Sequence, residues 1–372
     1  QLNNKSGSRL MIIAGQLVLG FVLLVVGGEL LVRGASALAA AFRISPLVIG
    51  LTVVAFGTSA PELGVSLQAA LTGNADVAIG NVVGSNIVNV LVVLGASALV
   101  APLIVSRQLI RLDVPLMIVA AIGMWGAALD GVISRVEGSI MFVSLVTYIA
   151  YSIRASRRES VDISESSDSA SEAKSGLKHL LWQAVLLIGG LALLSFGAKF
   201  LVAGAISIAT SLGVSQLVIG LTVVAVGTSL PEVVTSLVAS YRGQRDIAVG
   251  NVVGSNLFNV CCVCGLTGIF APEGIPVGAQ AINFDLPIMV AIAVICFPVF
   301  LLGGIVKRYE GALFLVYFGL YTAFLVVSAT NPESATSFGR TALFIVVPLT
   351  IFALGFSFWD GRRSAGARGN HG

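Results

Sequence analysis

Long apolar runs, separated by short polar segments, recur along most of the chain. A helix needs about 20 apolar residues to cross the hydrocarbon core of a bilayer, and by that rule the chain contains eleven spans. They are predicted at 10–32 (with a small-residue extension to 41), 46–71, 77–101, 112–129, 136–154, 179–210, 216–241, 247–270, 283–304, 309–329 and 341–359. The pattern predicts an all-α polytopic membrane protein.

The composition points the same way and argues against a soluble domain. Hydrophobic residues make up 56% of the 372 residues, charged residues only 10%, and the mean hydropathy is +0.99. Soluble domains carry about a quarter charged residues. The net charge of +3 does not indicate a nucleic-acid partner. The lipid bilayer is the predicted surrounding, and no obligate protein partner or cofactor is expected.

A polar, serine-rich segment at 155–178 divides the chain into two halves, 10–154 and 179–330. We interpret this segment as a hinge loop. Each half contains five predicted spans, an odd number, so the second half enters the membrane upside down relative to the first. Inverted repeats with interrupted helices are a transporter architecture. The sequence therefore predicts a ten-helix core of two inverted five-helix repeats, with 341–359 as an extra transmembrane helix.

The two halves also share sequence. When 45–95 is laid on 215–265 without a gap, roughly 32 of 51 positions are identical, which is the signature of an internal repeat.

Basic residues in the loops predict the orientation, because cytoplasmic loops carry an excess of Lys and Arg. Placing 155–178 in the cytoplasm puts most of the basic loop residues on that side. They are Arg43, Arg107, Arg111, Arg242, Arg245, Lys307, Arg308, Arg362, Arg363 and Arg368. The N-terminus is then predicted to lie outside and the C-terminus in the cytoplasm.

Each half carries a polar motif inside an apolar span. The motif reads Gly57-Thr58-Ser59-Ala60-Pro61-Glu62 and returns as Gly227-Thr228-Ser229-Leu230-Pro231-Glu232. Proline removes a backbone donor and displaces the carbonyl four residues earlier, so each helix should break and free carbonyls nearby. Hydroxyls, carbonyls and a carboxylate form an oxygen-only ligand set, which suits hard cations such as Na⁺, Ca²⁺ or Mg²⁺.

A second repeated element follows in each half, Gly80-Asn-Val-Val-Gly-Ser-Asn86 and Gly250-Asn-Val-Val-Gly-Ser-Asn256. Ser85 and Asn89 are four residues apart and can face one site, and the second half supplies Ser255 and Asn259. Inversion should place Glu62 and Glu232 opposite each other, where one Ca²⁺ or two Na⁺ would balance both charges. We interpret Asn81, Asn86, Asn251 and Asn256 as packing and backbone-bonding groups.

A purely structural role is the main alternative to ion binding for these polar residues. Taken singly, Thr58, Ser59, Ser85 and Asn89 fit a helix–helix hydrogen bond as well as they fit a ligand. A buried glutamate used only for packing is rare. A channel would need a continuous pore, usually from symmetric subunits. An intramembrane enzyme is disfavoured because the two histidines, His179 at the start of a span and His371 in the C-terminal tail, lie outside the repeated motifs. The four cysteines have no zinc spacing and fit small buried side chains.

At these paired motifs the chain resembles the cation/calcium exchanger superfamily, and within it the prokaryotic sodium/calcium exchangers. The resemblance implies calcium extrusion driven by sodium entry, alternating access, and a location in the plasma (inner) membrane of a prokaryote. It implies ion ligands at Thr58, Ser59, Glu62, Ser85 and Asn89, at Thr228, Ser229, Glu232 and Ser255, and at the backbone carbonyls of Ala55 and Ala225. Asn259, which is equivalent to Asn89, is the remaining candidate ligand.

One position departs from the family pattern. Members that exchange sodium for calcium commonly have Asp where this chain has Asn259, so the site lacks one potential negative charge. The alternatives that remain open are a calcium or other cation/proton antiporter, because either glutamate could carry a proton, and a potassium-dependent exchanger.

Overall fold

The computed structural model describes residues 2–165, 176–214, 219, 223, 225–302 and 304–369. Within these residues nine helices are long and apolar enough to span a membrane, or ten if one bent pair is counted as a single span. The all-α polytopic fold predicted from the apolar runs is confirmed.

The helices follow the predicted spans closely. Those of the first half are α1 (Leu2–Phe42), α2 (Pro46–Thr58), α3 (Ala60–Leu71), α4 (Ala75–Val100), α5 (Leu109–Asp130) and α6 (Arg135–Glu165). Those of the second are α7 (Leu177–Ser211), α8 (Ala225–Thr228), α9 (Leu230–Tyr241), α10 (Arg245–Phe270), α11 (Ala281–Leu301) and α12 (Arg308–Thr330), followed by α13 (Pro332–Gly369).

Two predicted loops are shorter in the structure. The proposed hinge 155–178 overlaps α6, which continues to Glu165, and α7, which begins at Leu177; the residues between 166 and 175 lie outside the described part. The polar stretch 331–340 before the extra helix is itself helical from Pro332. Polar residues do not stop a helix as an internal proline or glycine does, so hydropathy alone ended α6 too early and began α13 too late.

Two short strand pairs show that the halves are inverted. The strands are β1 (Leu103–Ile104), β2 (Val132–Ile133), β3 (Ile275–Pro276) and β4 (Ile305–Val306), and β1 pairs with β4 while β2 pairs with β3. The start of α5 therefore meets the end of α11, and the end of α5 meets the start of α11. The two equivalent helices run in opposite directions, as an inverted repeat requires.

The long helices α1 and α7 pack antiparallel through glycines. A Cβ on Gly27 would lie 2.9 Å from the carbonyl of Gly190, and one on Gly190 would lie 2.6 Å from the backbone nitrogen of Leu31. Such contacts are too close for any side chain, so the two backbones touch directly, as small residues allow between membrane helices.

One ion-pair cluster ties α1 to the end of α9. Glu29 accepts from Arg33 on its own helix and from both Nε and Nη2 of Arg242, the Nε–Oε2 distance being 2.9 Å. The positions that correspond to Glu29 and Arg242 in the other half are Lys199 and Thr72. Because Thr72 is uncharged, the repeat cannot form the equivalent ion pair between these two positions.

Helices α4 and α10 form the centre of the molecule. In their most apolar windows 72% and 89% of the residues are buried, compared with 44% or less in the other candidate spans. In contrast α13 is peripheral and contacts α12 through Tyr317, whose hydroxyl lies 2.6 Å from Thr350 Oγ1. A site on α4 and α10 is therefore shielded from lipid.

Candidate functional site

The Gly-Thr-Ser-x-Pro-Glu motifs break their helices as predicted. Ser59 separates α2 from α3 with φ −82° and ψ 2°, and the two helices are bent by 44°. Ser229 separates α8 from α9 with nearly the same angles, φ −88° and ψ 8°. The proline enters the first turn of the following helix in both cases, where its missing N–H costs nothing. The carboxylate one residue later therefore sits at a helix N-terminus.

The structure corrects the prediction that the helix break frees the carbonyl of Ala55. This carbonyl accepts the backbone N–H of Ser59 at 3.0 Å and lies 3.3 Å from Thr58 Oγ1. Pro61 removes the donor to Gly57 instead, because the helix bond runs four residues back. Ala55 keeps a second lone pair, and only that one is available for an ion.

Glu62 and Glu232 lie at the centre of the molecule, and each is hydrogen-bonded to a serine of the opposite half. Both glutamates are fully buried. Ser229 Oγ donates to Glu62 Oε1 at 3.4 Å, and Ser59 Oγ donates to Glu232 Oε1 at 3.3 Å. Each carboxylate thus accepts a hydroxyl from the other repeat, so the site forms only where both halves meet.

Helices α4 and α10 add further hydroxyls. Ser85 Oγ donates to Glu62 Oε1 at 3.5 Å, and Ser255 Oγ lies 3.5 Å from Thr58 Oγ1. Both serines are buried. Each lies a few residues before a π-helical segment, at Asn89–Leu94 in one half and Phe258–Cys264 in the other, so the duplication of sequence becomes a duplication of geometry.

The asparagines Asn89 and Asn259 occupy equivalent buried positions but make different bonds. Asn259 Nδ2 donates to Asn86 Oδ1 at 3.2 Å, whereas neither amide atom of Asn89 has a partner among the described residues. Both asparagines lie in the π-helical segments. Such wide turns are frequent at functional sites.

The remaining predicted residues lie on the broken helix of the second half. Ala225 begins α8 and Thr228 ends it, directly before Ser229. Thr228 is half-buried, whereas its equivalent Thr58 is buried.

The site contains buried oxygen atoms that lack hydrogen-bond partners. Within the described residues they include Glu62 Oε2, Glu232 Oε2, Asn89 Oδ1 and Asn259 Oδ1. A buried carboxylate is costly unless a cation, a donor or a proton compensates it. Oxygen donors with two carboxylates suit a hard cation. The chemistry of the donor set therefore fits a transported metal ion.

Comparison with known proteins identifies the family. The sequence profile of the sodium/calcium exchanger protein family matches residues 12–154 and 182–327. The chain belongs to this family. The family consists of antiporters and not of enzymes, and its transport needs no cofactor. Together with the candidate spans of the described residues, this identifies an integral membrane protein.

Similar proteins cover nearly the whole exchanger core. The putative antiporter CaxA of Alkalimonas amylolytica is 38% identical over 312 residues, which are 83% of this chain and 97% of CaxA. The sodium/calcium exchanger MaX1 of Methanosarcina acetivorans is 33% identical over 346 residues, 84% of this chain and 97% of MaX1. A structure of the sodium-calcium exchanger NCX_Mj superimposes with a TM-score of 0.71 and 30% identity, covering 86% of this chain and 99% of NCX_Mj.

Two asparagines of this exchanger hold the broken helices in place, although the sequence did not assign them to the site. Asn81 Nδ2 donates to Glu62 O and Ser66 Oγ, and Asn251 Nδ2 donates to Glu232 O and Ser236 Oγ. They bond the backbone, as interpreted above, but the backbone that they bond is that of the two glutamates. Their duplication in both repeats was the available signal.

Asp113 is another buried carboxylate within a span that the sequence analysis did not consider. Its Oδ1 accepts from Tyr148 OH at 2.8 Å, while Oδ2 has no partner among the described residues. Asp285 and Tyr321 stand at corresponding places in the other half. The rule that an ionisable residue inside a span marks a candidate site would have found Asp113.

Proposed function

We propose that the protein is a secondary antiporter that exchanges Ca²⁺ for Na⁺ by alternating access. One observation carries the proposal: each inverted repeat supplies one buried carboxylate, and each carboxylate accepts a hydrogen bond from a serine of the opposite repeat. The second oxygen of each carboxylate has no hydrogen-bond partner among the described residues. An ion that binds both carboxylates must contact both halves at once. Movement of one half against the other would then open the site to one side at a time.

The charge of the site suits exchange. Two ionised carboxylates are balanced by one Ca²⁺ or by two Na⁺, and the same oxygens can serve either ion. A doubly charged empty site would resist crossing the apolar core, so loaded forms interconvert more readily than the empty one. This favours coupled exchange over leak.

The proposed ligands draw on the same geometry. They are Thr58, Ser59, Glu62, Ser85 and Asn89, then Thr228, Ser229, Glu232, Ser255 and Asn259, with the carbonyls of Ala55 and Ala225. Glu62 and Glu232 are shared by both ions. The basic loop residues support a plasma-membrane orientation with the N-terminus outside.

A second candidate, cation/proton exchange, is favoured by one specific observation. Asn89 and Asn259 are both amides, so the proposed ligands include only two carboxylates. Two protons would neutralise both carboxylates, and one Ca²⁺ balances the same two charges, so this site could exchange Ca²⁺ for protons.

Calcium uptake into proteoliposomes tests both candidates. Sodium-loaded vesicles are compared with vesicles that carry a proton gradient and no sodium, for wild type, Glu62→Gln and Glu232→Gln. Glu333→Gln, which changes an exposed glutamate of α13, is the matched control. We expect sodium-driven uptake that both central variants lose and the control keeps. Uptake driven only by protons would select the second candidate, and uptake under neither gradient would contradict both.

A further inference from the structure

Asn251 lies buried between the two repeats, on α10 one turn before Ser255. Its Nδ2 donates to Ser236 Oγ at 2.9 Å and to the carbonyl of Glu232 at 3.4 Å. Both acceptors belong to α9. The amide nitrogen has two hydrogens, and both are used within the second half.

These partners determine which group donates and which accepts in each hydrogen bond around Asn251. Ser236 Oγ donates its single hydrogen to Ala248 O at 3.4 Å, so it can only accept from Asn251. The amide of Asn251 therefore cannot be turned round, and its Oδ1 must face away from α9. There it accepts Thr58 Oγ1 of the first half at 3.2 Å.

This bond decides what Thr58 can offer to an ion. A hydroxyl binds a cation through its lone pairs, so its hydrogen must point elsewhere. The nearest acceptors of the Thr58 hydroxyl are Asn251 Oδ1 at 3.2 Å and Ala55 O at 3.3 Å, while Ser255 Oγ lies farther away at 3.5 Å. When the hydrogen goes to Asn251, the oxygen of Thr58 and the second lone pair of Ala55 O both remain available. When Asn251 is absent, the hydrogen returns to Ala55 and occupies that lone pair.

We propose that Asn251 is a positioning residue that sets the ion affinity of Thr58 and Ala55 from the opposite repeat. This inference rests on the proposed function, in which Thr58 and Ala55 are ion ligands. Groups that orient the ligands of a metal affect its affinity by about tenfold to a hundredfold when they are removed. Because Asn251 also holds the carbonyl of Glu232, it connects the ligands of one half to the carboxylate of the other.

The variants separate an orienting role from a structural one. Asn251→Ala removes the acceptor, Thr58→Val removes the hydroxyl, and Thr58→Ser keeps it. Asn74→Ala is the control, at an exposed asparagine whose side chain bonds only its neighbour Thr72 among the described residues. Calcium binding to the purified protein is measured by titration calorimetry, and KM and kcat are measured by uptake into proteoliposomes.

We expect Asn251→Ala to weaken calcium binding and raise KM about tenfold, with a much smaller effect on kcat. The loss should appear in the Thr58→Ser background but not in Thr58→Val, where no hydroxyl remains to be oriented. Equal losses in both backgrounds, or unchanged binding by folded Asn251→Ala, would overturn the inference.

A further variant serves if Asn251→Ala does not fold. Ser236→Ala keeps Asn251 but removes the bond that holds its amide, so it should raise KM in the same direction; an unchanged KM would contradict the proposal. Glu62→Gln distinguishes failure of this inference from failure of the proposed function. If it binds calcium as wild type does, the proposed function itself fails. If it loses binding while Asn251→Ala does not, only the role of Asn251 is refuted.

Discussion

A substitution at Asn259 can change the charge of the central site, because Asn and Asp have nearly the same shape. Asn259 Nδ2 donates to Asn86 Oδ1, and Asn259 Oδ1 has no partner in the described residues. Asn86 in turn donates to the thioether of Met289 at 3.4 Å, which is a weak acceptor. If residue 259 became a carboxylate, Asn86 could turn its amide over and donate to it, losing only the bond to sulfur.

We therefore expect Asn259→Asp to be tolerated and to increase the number of sodium ions exchanged per calcium. A third carboxylate gives the site room for one more positive charge, so transport should depend more steeply on membrane potential. Calcium distribution at equilibrium, measured in vesicles at several potassium-clamped potentials, gives this number directly. Asn74→Asp adds a charge at an exposed position and is the control. An unchanged potential dependence would show that residue 259 does not contribute charge to transport.

At the level of single residues, the sequence indicated which polar residues come together but not how they are bonded. The repeated motif identified Ser59, Glu62, Ser229 and Glu232 because polar groups in apolar spans are few. It did not reveal that each serine bonds the glutamate of the other half, since that depends on how the broken helices cross. Asn251 was interpreted as a packing and backbone-bonding group, and its bonds to Ser236 and Thr58 were not predictable because they depend on how the helices pack.

Among the elements, α1 and α7 pack with their backbones in contact, and adjacent glycines of α7 allow a matched test. A Cβ on Gly190 would collide with the backbone of α1, whereas one on Gly189 would meet nothing within 4 Å. We expect Gly190→Ala to destabilise the protein by about 1–3 kcal/mol, which is typical of overpacking, and Gly189→Ala to be neutral or slightly stabilising.

Thermal unfolding in detergent measures both variants. A lower midpoint for Gly190→Ala alone would agree with direct backbone contact between α1 and α7. Equal midpoints for the two variants would mean that the helices can separate to admit the methyl group, and that the contact contributes little.

The helices themselves were predictable because membrane spans need about 20 apolar residues, whatever they pack against. The ends were less so. α6 extends to Glu165 through a serine-rich and acidic stretch that hydropathy assigned to a loop. α13 likewise begins at Pro332, which fits the preference for proline in a first helical turn but is invisible to an apolar-run count.

On the scale of the whole molecule, several features occur in both repeats, whereas the ion pair between α1 and α9 occurs in one. The strand pairs, the broken helices and the cross-repeat serines all occur twice. The ion pair between Glu29 and Arg242 has no counterpart between Lys199 and Thr72, which stand at the equivalent positions. Lys199 instead lies over the ring of Phe196, 5.9 Å from its centre.

We expect Arg242→Thr, which copies the equivalent residue of the other half, to change transport without changing the site. Removing the pair should alter the half-saturating calcium concentration on one face of the membrane more than on the other. Uptake measured with calcium added inside or outside oriented vesicles tests this. Arg340→Thr, a charge change in the peripheral α13, is the control. Identical shifts on both faces would show that the pair does not distinguish the two orientations.

The tie between Glu29 and Arg242 has a consequence for direction. In the proposed alternating-access cycle, perfectly symmetric repeats would give the inward-open and outward-open forms equal free energy, and the two faces would respond alike to their ions. A contact that is present in one form and lost in the other lowers the free energy of the first form and lengthens its lifetime. The final balance of exchange is unaffected, because the ion gradients alone determine it. Such a contact changes which compartment controls the rate, so exchange in the two directions can proceed at different speeds although both repeats carry the same motifs.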